Sequence, residues 1–208
     1  MYFRLVNHHP SQASAGELRT LVRDRAEAEN ASGASRNSVL AEMLGPEPNI
    51  IHAIQHEDFG AWESHISNRD PSFQAYGAKV QATLVRPIQQ EIHEVVTRSA
   101  TGPANFLARN TFQAIRGKGP ELRKVLEERV KTSNSRGSVS SALLSQGFAS
   151  NGPYLTLAVG FSDLASLEKY FGALPSDPSL GGFVNALNTL VAANENRLFR
   201  VVVPFPSA

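Results

Sequence analysis

Two stretches of this chain repeat one another in order, and that repetition limits the fold more than any other feature. Gly16-Glu17-Leu18-Arg19 is echoed by Pro120-Glu121-Leu122-Arg123, a displacement of 104. At the same displacement Arg25 meets Arg129, Asn30 meets Asn134 and Gly33 meets Gly137. Leu18, Leu21, Val22 and Ala26 fall on Leu122, Val125, Leu126 and Val130, apolar at the spacings of one helix face. Farther on, Asp58, Phe59, Trp62, Glu63 and Ile66 match Asp163, Leu164, Leu167, Glu168 and Phe171 at 105. Asp70-Pro71-Ser72-Phe73 then matches Asp177-Pro178-Ser179-Leu180 at 107. In both copies the Asp is placed to cap a helix, and the Pro falls at the first helical position, where its missing N–H costs nothing. The helices behind keep phase: Phe73, Tyr76, Val80 and Leu84 against Leu180, Phe183, Leu187 and Val191. The displacement grows only between the periodic segments, where insertions are tolerated.

Between the helices the apolar period drops to two. Residues 2–8 and 106–114 read as first strands. Residues 39–44 and 49–55 read as a hairpin around Gly45-Pro46-Glu47-Pro48, matched by 139–148 and 154–161 around Ser150-Asn151-Gly152-Pro153. Last strands are expected at 91–97 and 198–203. Each half is therefore β-α-β-β-α-α-β, a ferredoxin-like split βαβ with its second helix broken at the Asp-Pro. The expected organisation is a first repeat over 1–98, a connector over 99–104 and a second repeat over 105–208. A sheet with helices on one face must cover the other. Val39, Ile50, Ile54, Leu155 and Leu157 are too apolar to stay wet on such a face. The expectation is an α+β fold in which two tandem repeats form an intramolecular dimeric α/β barrel, with room for a further homodimer.

Composition narrows the function. Lys and Arg number 20 against 19 Asp and Glu, so a net charge of +1 supplies no field to gather nucleic acid or an anionic membrane. The absence of cysteine excludes disulfides, thiolate catalysis, Fe–S clusters and Cys-type zinc sites. No apolar run approaches the ~20 residues of a membrane span. Met1 to Pro10 lacks a secretory apolar stretch, and a soluble cytoplasmic protein is expected.

The stretch Asp58-Phe-Gly-Ala-Trp62-Glu-Ser-His65-Ile, followed by Asp70-Pro-Ser-Phe73-Gln-Ala-Tyr76, resembles a segment of the antibiotic-biosynthesis-monooxygenase-like branch of the dimeric α/β-barrel superfamily. The second repeat keeps the frame but carries Tyr170 where the first has His65. The resemblance covers nearly the whole chain as topology and about 20 residues as motif. It implies a cofactor-free oxygenase of phenolic substrates, an isomerase, a haem-binding enzyme or a protein without catalysis. For the oxygenase, no metal or flavin is implied.

His65 is the candidate general acid or base, because an imidazole titrates near neutrality. Its bland alternative is a hydrogen bond to a loop carbonyl. Trp62, one turn earlier, walls a pocket or packs the core as its counterpart Leu167 does. Arg4, Asn7, Arg109 and Asn110 place polar groups on the two first strands, where a guanidinium fork suits a carboxylate or phenolate. The alternative there is an Arg snorkelling at a sheet edge. Tyr170, like Tyr76, can donate a hydroxyl hydrogen bond or pack. His8 and His9 alternate across a strand, while His52 and His56 lie ~13 Å apart along one, so neither pair holds one ion, and no metal is expected. Haem would need one axial His and is a weaker alternative. Arg19, Arg23, Arg25, Lys124, Glu127, Glu128 and Arg129 read as a solvated face opposite the apolar stripe.

Two functions compete. One is binding, with cofactor-independent oxidative or isomerising conversion, of a small, largely apolar or aromatic metabolite in a barrel cavity, the chemistry surviving in one repeat, the first. The other is a non-catalytic structural or interaction protein whose barrel is filled by its own side chains.

Overall fold

The computed structural model describes residues 1–206 except 46, 68–71, 148–153 and 174–175. The order of elements is β-α-β-β-α-α-β, twice. The first set is β1 (Tyr2–His8), α1 (Ala15–Ser32), β2 (Arg36–Glu42), β3 (Ile50–His56), α2 (Phe59–Ser67), α3 (Ser72–Thr83) and β4 (Gln89–Ala100). The second is β5 (Phe106–Ala114), α4 (Gly119–Ser133), β6 (Ser140–Gly147), β7 (Tyr154–Phe161), α5 (Leu164–Ala173), α6 (Pro178–Leu190) and β8 (Val191–Val203). The fold is α+β: two tandem ferredoxin-like repeats whose main-chain hydrogen bonds run β1-β3-β2-β8-β5-β7-β6-β4 and close into an eight-stranded barrel.

The matched residues earn their places locally. Gly33 and Gly137 both stand at positive φ, 70° and 99°. At Gly33 the left-handed turn lets the main chain fold back, its N–H reaching Asn30 O and that of Ala34 reaching Glu29 O, so α1 ends with its carbonyls satisfied. Asp177 caps α6, accepting from the Ser179 N–H at 2.9 Å with Pro178 behind it at the first helical position. Its counterpart Asp70-Pro71 and the turn at 150–153 lie outside the described residues.

By contacts the chain divides into two compact units, residues 1–93 with 199–208, and residues 94–198. In the first, β3 lies between β1 and β2, antiparallel to both, with Arg4 opposite Ile54 and Val39 opposite His52. Val39 pairs with Val203 before the register slips by a bulge. In the second, β7 lies between β5 and β6, with Ala108 opposite Val159 and Leu143 opposite Leu157. These registers make Arg4 and Ala108, Ile54 and Val159, and His52 and Leu157 structurally equivalent.

The apolar strand positions correct one step of the sequence reading. Val39 and Ile50 pack in one cluster with Leu18, Val22 and Ala26 of α1 and Val80 of α3. Leu155 and Leu157 pack with Leu122, Leu126 and Val130 of α4. Ile54 also turns toward α1 and α3. These residues face their own repeat's helices, because strand phase is read from alternation and both faces of these strands are rich in apolar residues. The last strands are also longer than expected: β4 runs to Ala100, into the expected connector, and β8 starts directly after α6. Among the described residues no helix is long and apolar enough to cross a membrane.

Candidate functional site

In the first unit a cavity of about 300 Å³ opens between the sheet and the helices that cover it. β1 contributes Arg4, Val6 and His8, the alternate residues of one face. His52 and Ile54 come from the same face of β3, and Gln90 from the start of β4. Arg25 and Glu29 reach in from α1, His65 from α2, and Phe73 and Tyr76 from α3. This cavity lies under the helices, on the face that their apolar stripes leave partly unfilled.

Charge and hydrogen bonding order this lining. Arg4 is buried at 8% exposure and donates from Nε and Nη2 to Gln90 Oε1, at 3.0 and 2.9 Å. Arg25 pairs with Glu29 one turn on, and its guanidinium lies 5.5 Å from the Phe73 ring centre and 5.9 Å from that of Tyr76. His8 Nδ1 sits 3.1 Å from Ile50 O, and His52 Nε2 sits 2.9 Å from Asn37 Oδ1. Burial pushes the His52 imidazole down to about 3, helped by His8, Arg4, His65 and Arg25. At the far end of β3, burial together with His65 and Arg4 pushes His56 down to about 4. Burial also lowers His8, against the raising effect of its bond to Ile50. Burial raises the Tyr76 hydroxyl to about 12, so it remains a donor. The site therefore sets two imidazoles held toward the neutral form, His8 and His52, and a phenol beside two guanidinium groups and the Glu29 carboxylate. Among the described residues no three His, Asp or Glu side chains gather to hold a metal ion.

The residues singled out from sequence separate into four places. Arg4 and His65 line this cavity, His65 with its ring edge-on to His56 at 5.5 Å between centres. Trp62 is set beside it, 5.9 Å from Phe59 and 6.5 Å from His56, its Nε1 buried and without a hydrogen-bond acceptor among the described residues. Asn7 lies on the opposite face of β1 and donates from Nδ2 to Glu91 Oε1 at 3.2 Å. Arg109 is likewise one residue out of phase with Asn110, which lines a second cavity.

That second cavity, about 180 Å³, occupies the equivalent place in the second unit. It is lined by Ala108, Phe112, Leu157 and Phe161 where the first unit has Arg4, His8, His52 and His56. Tyr170, 5% exposed, stands where the first has His65; it lies edge-on to Phe161 at 5.2 Å, and its hydroxyl accepts from Arg129 Nη2 at 3.4 Å. One repeat buries an Arg and a group of histidines; the other fills the same positions with hydrocarbon.

Arg25 and Arg129 overturn the reading of a wholly solvated face. Arg129 is 6% exposed, pairs with Asp177 at 3.3 Å and lies 5.2 Å from the Phe183 ring centre. Helix periodicity places both on the margin of the apolar stripe, and only the docking of the third helix buries them. Their coincidence at one displacement was the available signal. His8, His52 and Tyr76 also join the site, brought together from separate elements.

The sequence matches no protein-family model and no curated protein. Its fold is shared with solved structures. A protein from Fusobacterium nucleatum described as a candidate monooxygenase superposes with a TM-score of 0.81 at 10% identity, over 100% of this chain and 94% of that one. An anthrone oxidase-like protein gives 0.69 at 13% identity, over 98% and 92%. A ferredoxin-fold protein from Listeria monocytogenes, described as related to antibiotic biosynthesis monooxygenases, gives 0.53 at 9% identity, over 99% and 95%. At such identities the likeness is one of fold.

Proposed function

We propose that the first repeat binds a small, largely apolar or aromatic metabolite bearing an ionisable oxygen, and that His65 takes a proton from it. Proton removal is the shared opening step of a cofactor-independent oxidation, in which dioxygen is the oxidant, and of an isomerisation. The observation that carries this reading is the contrast between the cavities. Packing alone gives no reason to bury Arg4, His8 and His52 in one repeat when the same fold closes over Ala108, Phe112 and Leu157 in the other.

The chemistry fits the residues. A cavity of about 300 Å³ lies at the lower end of the range for small-molecule sites. Arg4 supplies a positive charge in a buried setting, where it stabilises a phenolate or enolate more strongly than in water. Tyr76 adds a hydroxyl donor, while Phe73, Val80 and Ile88 supply apolar wall. Trp62 supports the wall from outside. Asn7 and Arg109, on other faces, and Asn110 and Tyr170, in the second cavity, take no part in the step proposed here. The solved neighbours described as oxidases or monooxygenases agree with the reading.

Thermal-shift screening against phenols, quinones and short-chain acids tests it, since a ligand that binds only the native state raises the melting temperature. Turnover of a hit is expected to fall by ~10²-fold or more in His65→Ala with the fold intact, the scale of a lost general base. Arg4→Ala is expected to weaken its binding by about 1.5–3 kcal/mol, the scale of a charged hydrogen bond. No hit, or full turnover in His65→Ala, favours the non-catalytic structural protein instead.

A further inference from the structure

The orientation of one imidazole in the cavity is fixed by a chain of side chains that leads back to the main chain. Asn30 is pinned at both ends: its Nδ2 donates to Asn37 O at 3.0 Å, and its Oδ1 accepts from the Asn37 main-chain N–H at 2.7 Å. A carbonyl only accepts and an amide N–H only donates, so the two ends cannot be exchanged. Asn30 Oδ1 also lies 3.2 Å from Asn37 Nδ2, which must therefore be the NH₂ end. Ser35 Oγ takes that group's other proton at 2.9 Å. Asn37 Oδ1 is left to accept from His52 Nε2. In a neutral ring, Nε2–H leaves Nδ1 with a lone pair and no proton. Nδ1 has no hydrogen-bond partner among the described residues, on a ring that lines the cavity.

The second repeat lacks both halves of this device. Where Asn37 stands opposite Ile54, Ser141 stands opposite Val159 and turns its hydroxyl to Val130 O at 3.1 Å. Where the first repeat has His52, the second has Leu157. Asn37 is fully buried, and with its Nδ2 committed to Asn30 and Ser35 its Oδ1 is directed at the imidazole.

We infer that the first cavity selects its ligand by an un-ionised hydroxyl group, donated to His52 Nδ1 near Arg4, and that Asn30 and Asn37 are positioning residues that keep that nitrogen unprotonated. The inference rests on the cavity being a ligand site, as proposed above. Burial and the neighbouring guanidinium groups keep the ring neutral at pH 7, so it accepts and does not donate. His8 is held in the same spirit, with its proton on Nδ1 toward Ile50 O. The ligand class is thus a hydroxylated acid or hydroxy-carbonyl compound: one oxygen for Arg4 and one O–H for His52. A ligand lacking the O–H leaves a buried lone pair unmatched, which is how a polar site rejects its close analogues.

Nitrogen-15 NMR of the unliganded protein at pH 7 reads the tautomer directly. Nε2 of His52 is expected to be protonated and Nδ1 bare, and Asn37→Ser is expected to abolish that preference. A wild-type ring protonated at Nδ1, or a tautomer indifferent to Asn37→Ser, overturns the inference. Calorimetry with 4-hydroxybenzoate and benzoate then reads selection. The hydroxylated acid is expected to bind about five- to tenfold more tightly, the scale of one hydrogen bond. The ratio should fall to near one in the N37S/H52L double variant. That variant carries the residues the second repeat folds around, so its core is preserved. Equal binding by the wild type, or an unchanged ratio in the variant, overturns this inference and leaves the cavity reading standing. If neither acid binds, both fall.

Discussion

The buried histidines make the protein sensitive to acid in a way that can be assigned to single residues. His52 and His56 are held down to about 3 and about 4, whereas in the unfolded chain they return to about 6.5. Below pH 6.5 the unfolded chain therefore binds protons that the folded one refuses. The stability these neutral rings contribute is complete above that pH and drains away as the pH falls toward the folded values. By pH 5 each ring costs about 2 kcal/mol relative to pH 7. Urea denaturation at the two pH values checks this. The N37S/H52L variant should lose about 2 kcal/mol less than the wild type over that interval; an equal loss would mean that His52 is not held neutral by its surroundings. None of this was legible from the histidines one at a time. Residues 8, 52 and 65 meet because strand register and helix docking bring three elements together, and spacing along the chain carries no trace of that.

At the level of elements the sequence was more informative, for reasons that are local. Helix periods, the two glycines and the Asp-Pro pairs depend on residues within a few positions of one another, and β1, β5 and β7 stand at the bounds expected of them. Gly33 and Gly137 lie at φ 70° and 99° with nothing within 4 Å of a prospective Cβ, so only backbone strain opposes a side chain there. Each Gly→Ala change is expected to cost about 1–2 kcal/mol in chemical denaturation, the penalty of the left-handed region for a residue with a Cβ. A cost near zero at Gly33 would show that the α1 cap is not held as described. What the local pattern could not show was which sheet face each helix covers. Val39 and Leu155 fit either face by alternation, and Arg25 and Arg129 fit water or a neighbouring helix. The third helix of each repeat decides both questions, placing aromatic rings over the guanidinium groups.

At the scale of the whole molecule, duplication gave one framework two fates. Both repeats keep the arginine on the first helix and a positive-φ glycine in the turn that follows it, which are structural needs. The first buries Arg4, His8 and His52 where the second has Ala108, Phe112 and Leu157, and such buried polar groups weaken packing unless a ligand uses them. The second cavity keeps Asn110, Arg129 and Tyr170, but none of the first cavity's histidines has a histidine counterpart in it. Sequence comparison of the halves could reveal the His65 and Tyr170 difference but not its extent, because the equivalence of Arg4 with Ala108 and of His52 with Leu157 follows from strand pairing. The central claim is that ligand binding belongs to one repeat. Calorimetric titration of the wild-type chain with 4-hydroxybenzoate measures it most directly. One site per chain, lost in Arg4→Ala, is the expected result; two equivalent sites, or one site indifferent to Arg4→Ala, would contradict it.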